Sequence, residues 1–130
     1  MSQILVNPPG TEATYEAFKF SQAVKVGEMV WVSGQVGVGA EGVPEEFSDQ
    51  ARLALQNLKN VLEHAGSCLE DVVETVVYLT DIKTSREFSA IRDEFISANY
   101  PASTVVGVTG LVLSSLKVEI RATAVIGSAL

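Results

Sequence analysis

The run from Asn99 to Ile126, NYPASTVVGVTGLVLSSLKVEIRATAVI, restricts the fold more than any other stretch. It reads as two strands joined by a loop. Strand-forming valines and threonines surround Gly107, and residues 117–126 alternate strictly. Val118, Ile120, Ala122, Ala124 and Ile126 point one way; Lys117, Glu119, Arg121 and Thr123 point the other. A strand of this kind is half buried and half polar, as in sheets that keep one wet face. The polar row is either a solvated sheet face or the wall of a site.

The rest of the chain supplies the partners. Gln3 to Val6 reads as a short strand, followed by the breaker cluster Asn7, Pro8, Pro9 and Gly10 and an irregular segment through Tyr15. Phe18 to Val26 and Met29 to Ser33 read as a hairpin turned at Gly27-Glu28. Gly34, Gly37, Gly39 and Gly42 then act as bend-formers. They match no phosphate-binding pattern, since no Gly-x-Gly-x-x-Gly or Gly-Lys-Ser/Thr is present.

Apolar residues from Ala51 to Ala65 recur at helical spacing, which predicts a helix over 46–65. Pro44 and the acidic residues Glu45, Glu46 and Asp49 suit its start, and Gly66 its stop. His64, the only histidine, lies in the last turn with no Cys or Asp at metal-ligand spacing. Val72 to Leu79 is a strand by composition. Thr84 and Glu87 fit a capping box for a second helix running to about Ala98, which Tyr100-Pro101 ends.

The resulting order is β-β-β-α-β-α-β-β. Each helix is long enough to return the chain in parallel, which predicts a mixed α+β sheet with both helices on one face. Two helices leave the other face uncovered, so that face is expected to meet another subunit.

Composition narrows the function classes. The 130 residues suit one domain. Nine basic against sixteen acidic residues, net charge −7, argue against an extended nucleic-acid surface. No apolar run is long enough for a membrane helix, and no secretory leader is visible. Cys68 is the only cysteine, so no intrachain disulfide is possible and a cytoplasmic setting is expected.

Several short pieces then fall into one pattern: Phe20-Ser21-Gln22-Ala23, Val32-Ser33-Gly34-Gln35-Val36-Gly37, Gln50-Ala51-Arg52 to Asn57-Leu58, and Ala65-Gly66 with Leu69-Glu70-Asp71-Val72-Val73. Tyr78-Leu79-Thr80-Asp81, Tyr100-Pro101-Ala102 and Val118-Glu119-Ile120 continue it. Their order and spacing resemble the RidA (YjgF, or endoribonuclease L-PSP) family over nearly the whole chain. The resemblance implies a chorismate-mutase-like fold and a homotrimer whose small-molecule ligand lies in intersubunit clefts. It implies hydrolysis of enamines and imines such as 2-iminopropanoate to a keto acid and ammonia, with no metal or organic cofactor. A cleft that binds a metabolite without turning it over, and the family's RNA-cleaving role, are the other readings.

By the same resemblance Glu119 and Ser33 are the catalytic candidates, and Phe20, Gly34, Ser103 and Val105 line the ligand. This chain departs from the family there. Ser103 stands where active members carry an arginine after Pro-Ala, Val105 where cysteine is common, and Phe20 where tyrosine is common. A guanidinium binds a carboxylate as a bidentate fork; a serine hydroxyl does not. Losing such a contact, worth roughly 1.5–3 kcal/mol, costs about tenfold to a hundredfold in binding. Arg121 sits two places after Glu119 on the same strand face. It is either a replacement anion anchor or the partner of Glu119 or of a subunit interface. Arg52 reads as a surface or interface residue.

Overall fold

The computed structural model describes all residues 1–130. The order is β1 (Ile4–Val6), α1 (Glu12–Phe18), β2 (Ala23–Val26), β3 (Met29–Val36), α2 (Phe47–His64), β4 (Val72–Leu79), α3 (Ser85–Arg92), β5 (Ala102–Gly107) and β6 (Val118–Val125). All six strands form one mixed sheet in the order β1-β2-β3-β6-β4-β5. The last strand of the chain lies in the middle, antiparallel to both β3 and β4, while β5 runs parallel to β4 at the edge.

This centre is what the alternation of β6 requires. Val118, Ile120, Ala122 and Ala124 are all buried, and they pack with Leu55, Leu58 and Leu62 of α2 in one core. Fully burying each such leucine contributes about 1.5–3 kcal/mol. The start of α2 sits directly on β3. A Cβ added to Gly37 would lie 2.6 Å from the Gln50 carbonyl oxygen, so only glycine permits that approach. The buried Gln50 side chain secures the same corner. Its Nε2 donates to Pro44 O and Ser115 O, and its Oε1 accepts from Lys117 N.

The helix over 46–65 and the strand over 72–79 form as the sequence predicts, and Gly66 takes the left-handed φ of +85° that ends α2. The hairpin turn at Gly27 also forms, with Val26 opposite Met29 and φ +58° at Gly27.

Three expectations are corrected. There are three α-helices, not two, because Glu12–Phe18 forms a helix in the stretch read as irregular and as the start of a strand. Thr11 precedes it and Lys19, at φ +62°, ends it, so Phe20 lies in a loop rather than in β2. The α3 helix stops at Arg92 instead of about Ala98, and Ile96 turns into the core beside the half-buried Phe95. The capping box does not form. Thr84 Oγ1 donates to Asp81 O, and Asp81 caps the turn before α3 by accepting from Lys83 N.

Candidate functional site

The site is built where β3 breaks register against β6. Val32 pairs with Ala122 and Gln35 with Ile120, so β3 carries one extra residue, a bulge at Ser33-Gly34 facing Arg121. Bulges re-aim side chains and open a sheet locally. Here the bulge makes room for the carboxylate of Glu119. A Cβ on Gly34 would lie 2.6 Å from Glu119 Cδ and closer still to a carboxylate oxygen, so the side chain lies on the bare glycine backbone.

Glu119 forms no ion pair within the chain: the two ion pairs are Arg52–Glu94 and Arg92–Asp93. Its pKa is raised, and the cause is burial, which withdraws water without supplying a donor. Arg121 therefore does not neutralise it. The guanidinium is exposed on the same face, free of an acidic partner. Arg52, read as a surface or interface residue, is exposed on the single chain and forms a bidentate pair with Glu94 at 2.9 and 3.0 Å.

Ser33 Oγ donates to Ser21 O at 2.7 Å, and Ser33 N donates to Gln22 O at 2.9 Å. These bonds bring the loop carrying Phe20 beside the bulge. Phe20, Ser33, Gly34, Glu119 and Arg121 consequently line one cavity of about 530 Å³, together with Trp31, Thr123 and Val112. The volume is in the range of small-molecule sites. Five of the seven residues singled out in the sequence thus come together.

Ser103 and Val105 do not join them within one chain. Val105 pairs with Val77, and Val77 with Ile120, all directed to the helix-bearing side of the sheet. Glu119 pairs with Tyr78 on the opposite side. Ser103 meets Thr75, whose hydroxyl donates to Ser103 Oγ at 3.3 Å. The shared strand face of Ser103 and Val105 is real, but it is the other face of the sheet from Glu119.

Sequence reasoning missed Trp31 and Val112 as wall residues, whereas Thr123 stands in the polar row read as a solvated face or a site wall. Thr123 follows from the alternation that gave Glu119. Val112 lies in the loop between β5 and β6, where no periodicity marks it.

An α+β domain with a half-buried, unpaired carboxylate in a cavity on its open sheet face is the class of molecule these features define. The chain belongs to the endoribonuclease L-PSP family, whose model matches residues 11–126. It is 35% identical over 120 residues to the RutC family protein YjgH of Escherichia coli, covering 90% of this chain and 92% of that one. The solved structure of YjgH superposes with a TM-score of 0.86 at 34% identity, covering 97% and 98% of the two chains. A 2-iminobutanoate/2-iminopropanoate deaminase of Dermatophagoides farinae is 37% identical, over 82% of this chain and 85% of that one. The structure of E. coli TdcF with bound serine matches with a TM-score of 0.77 at 33% identity, covering 82% and 87%.

Proposed function

We propose that this RidA-family protein hydrolyses a small enamine or imine to a carbonyl compound and ammonia, with Glu119 as the group that manages the water's proton. The observation that carries the reading is the unpaired, half-buried carboxylate laid on Gly34 in a cavity of substrate size. Water adds to the C=N carbon, forming the C–O bond, and the resulting carbinolamine breaks its C–N bond to release ammonia. A carboxylate whose pKa is raised takes and returns the transferred proton more readily near neutrality than an ordinary one. Ser33, whose hydroxyl hydrogen is committed to Ser21 O, acts through its lone pairs and its position. Phe20 closes the cavity with an apolar ring. The similarity to a 2-iminobutanoate/2-iminopropanoate deaminase supports the reaction class.

The cleft we envisage lies between copies of the chain in a homotrimer. Ser103 and Val105 are exposed on the face of the sheet opposite Glu119, so only a second copy brings them to the carboxylate. A neutral serine there points to a substrate that depends less on a forked contact to its carboxylate, or to one whose carboxylate is held instead by Arg121, which has no acidic partner. The same features favour a second reading, a trimer that binds a metabolite without turning it over. An RNA-cleaving role is opposed by the excess of acidic residues.

Ammonia release from freshly generated 2-iminopropanoate, wild type beside Ser103→Arg and Arg121→Gln, tests the reading. We expect slow turnover by the wild type and a gain of about tenfold or more in Ser103→Arg, the size of a charge-assisted carboxylate contact. Fast wild-type turnover that Arg121→Gln reduces assigns the carboxylate to Arg121. No turnover of this or other small imines by any of the three leaves the binding trimer.

A further inference from the structure

A second cavity, of about 460 Å³, adjoins the first on the helix-bearing side of the sheet. The two share Phe20, Gly34, Val36 and Val112, so they meet around the bulge of β3. They can meet because β2 pairs with β3 only from Met29 to Val32. Beyond that point the β3 edge is bordered by the Phe20 loop, and the second cavity continues between α1 and α2.

Its chemistry differs from that of the first. None of its sixteen lining residues is charged, in a chain of net charge −7. Phe18, Phe20, Val112 and Leu113 supply exposed apolar walls. Gln22 and Gln35 bring polar groups to it although they are only 9% and 6% exposed. Gln35 Nε2 donates to Gln22 Oε1 at 3.0 Å and to Ser33 O at 3.1 Å, which fixes both amides. Gln22 Nε2 and Gln35 Oε1 are left with no protein partner. Arg92 Nε is the one sealed side-chain polar atom without a bond, so these two amide atoms remain accessible. A donor and an acceptor left free on two lining residues that are bonded to each other are the groups an amide can pair with.

We propose that this second cavity holds a neutral, apolar arm of the ligand that ends in or contains an amide, while its reacting carbon lies at Glu119. The placing of the reacting carbon rests on the hydrolase reading; the preference for a neutral amide rests on the cavity alone. A charged arm is disfavoured because no opposite charge meets it and water is partly excluded. Each methylene buried against the apolar wall tightens binding about fourfold.

The test is titration of the isotopically labelled protein with acetamide, hexanamide and hexanoate, read by NMR at the side-chain NH₂ signals of Gln22 and Gln35. Hexanamide is expected to shift both signals saturably and to bind at least tenfold more tightly than acetamide or hexanoate. Thr14→Trp and Asn60→Trp fill the cavity from its α1 and α2 sides and are expected to raise the hexanamide Kd at least tenfold. Asn60 is exposed and Thr14 is partly exposed, both at the cavity rim, so the fold tolerates the larger ring, and the unaffected remainder of the spectrum verifies it. The proposal is overturned if no signal saturates, if hexanoate matches hexanamide, or if both filling variants bind as the wild type does. Ammonia release measured in parallel separates the two ideas. An inert protein that binds hexanamide loses the hydrolase reading and keeps the cavity; turnover without hexanamide binding does the reverse.

Discussion

At Glu119 the bulge of β3 and the missing side chain of Gly34 withdraw water from a carboxylate without offering it a donor. The cost of that arrangement has a definite sign. A carboxyl whose folded pKa is raised binds its proton more tightly folded than unfolded. Its contribution to stability is therefore greatest at low pH and declines as pH climbs from the ordinary glutamate range through the raised pKa. Glu119→Gln removes the titration and keeps the shape. The stability of the variant relative to wild type is expected to increase between pH 4 and pH 8 in parallel urea unfolding series, while imine turnover falls at least a hundredfold. A stability difference independent of pH would show that the carboxylate is not held out of water. Unchanged turnover would remove Glu119 from the chemistry. Sequence alternation placed this residue and Arg121 in one polar row, and the family resemblance singled out Glu119. It did not show that Gly34, named as a bend-former and as a ligand contact, is the surface on which the carboxylate rests, because that contact depends on a one-residue register shift between distant strands.

At the scale of elements, legibility follows burial. The α2 helix buries eight residues along one stripe, and its periodicity marks it with an error of one residue at each end. The α1 helix buries none and is seven residues long, so no apolar stripe distinguishes it from a loop after Pro8-Pro9-Gly10. The end of α3 was misplaced for a related reason. Phe88, Ile91 and Phe95 continue a helical spacing, yet the chain turns after Arg92 and buries Ile96 instead. Of the strand order, the β2–β3 hairpin and the parallel return across α3 were legible, but the place of β6 between β3 and β4 was not. The register that sets Ser103 against Thr75, and Thr75 against the buried Ala122, puts Ser103 on the opposite face from Glu119, and no local pattern encodes that. A buried polar anchor escaped for the same reason. Asp71 ties the end of the chain to the turn before β4, accepting from Ser67 Oγ at 2.8 Å, Gly127 N at 3.2 Å and Ala129 N at 3.1 Å. Burial opposes its charge, but those hydrogen bonds outweigh burial and hold its pKa below the usual aspartate value. Its stabilisation is thus present above the unfolded aspartate pKa and is lost as pH falls through the lowered folded value. Asp71→Asn turns an amide NH₂ toward backbone donors and should cost roughly 1.5–3 kcal/mol near neutrality. In denaturant melts the gap to wild type should close as the pH is lowered below 4. A gap of constant size would mean that the charge is not what binds the tail.

Over the whole molecule, one sheet face is packed by α2 and the other presents Trp31, 45% exposed, between Val24 and Thr123. An indole left half in water at the centre of a sheet is an unfinished contact, since tryptophan buries more apolar area than any other side chain when a partner is present. The split of the candidate site between the two sheet faces makes the same demand from the side of function. Both are met if the open faces of several copies turn inward together, with β5 of one copy bringing Ser103 and Val105 toward Glu119 of the next. Light scattering at micromolar concentration is expected to give three times the chain mass of 13.8 kDa. Trp31→Glu would place a charge in that contact without touching the core behind the sheet, where Val30 and Val32 are buried. It is expected to yield a folded monomer with the wild-type far-ultraviolet spectrum and no imine turnover. A wild-type monomer would break the link between the open face and the cleft. Trp31→Glu that remains trimeric would place the interface elsewhere on the fold.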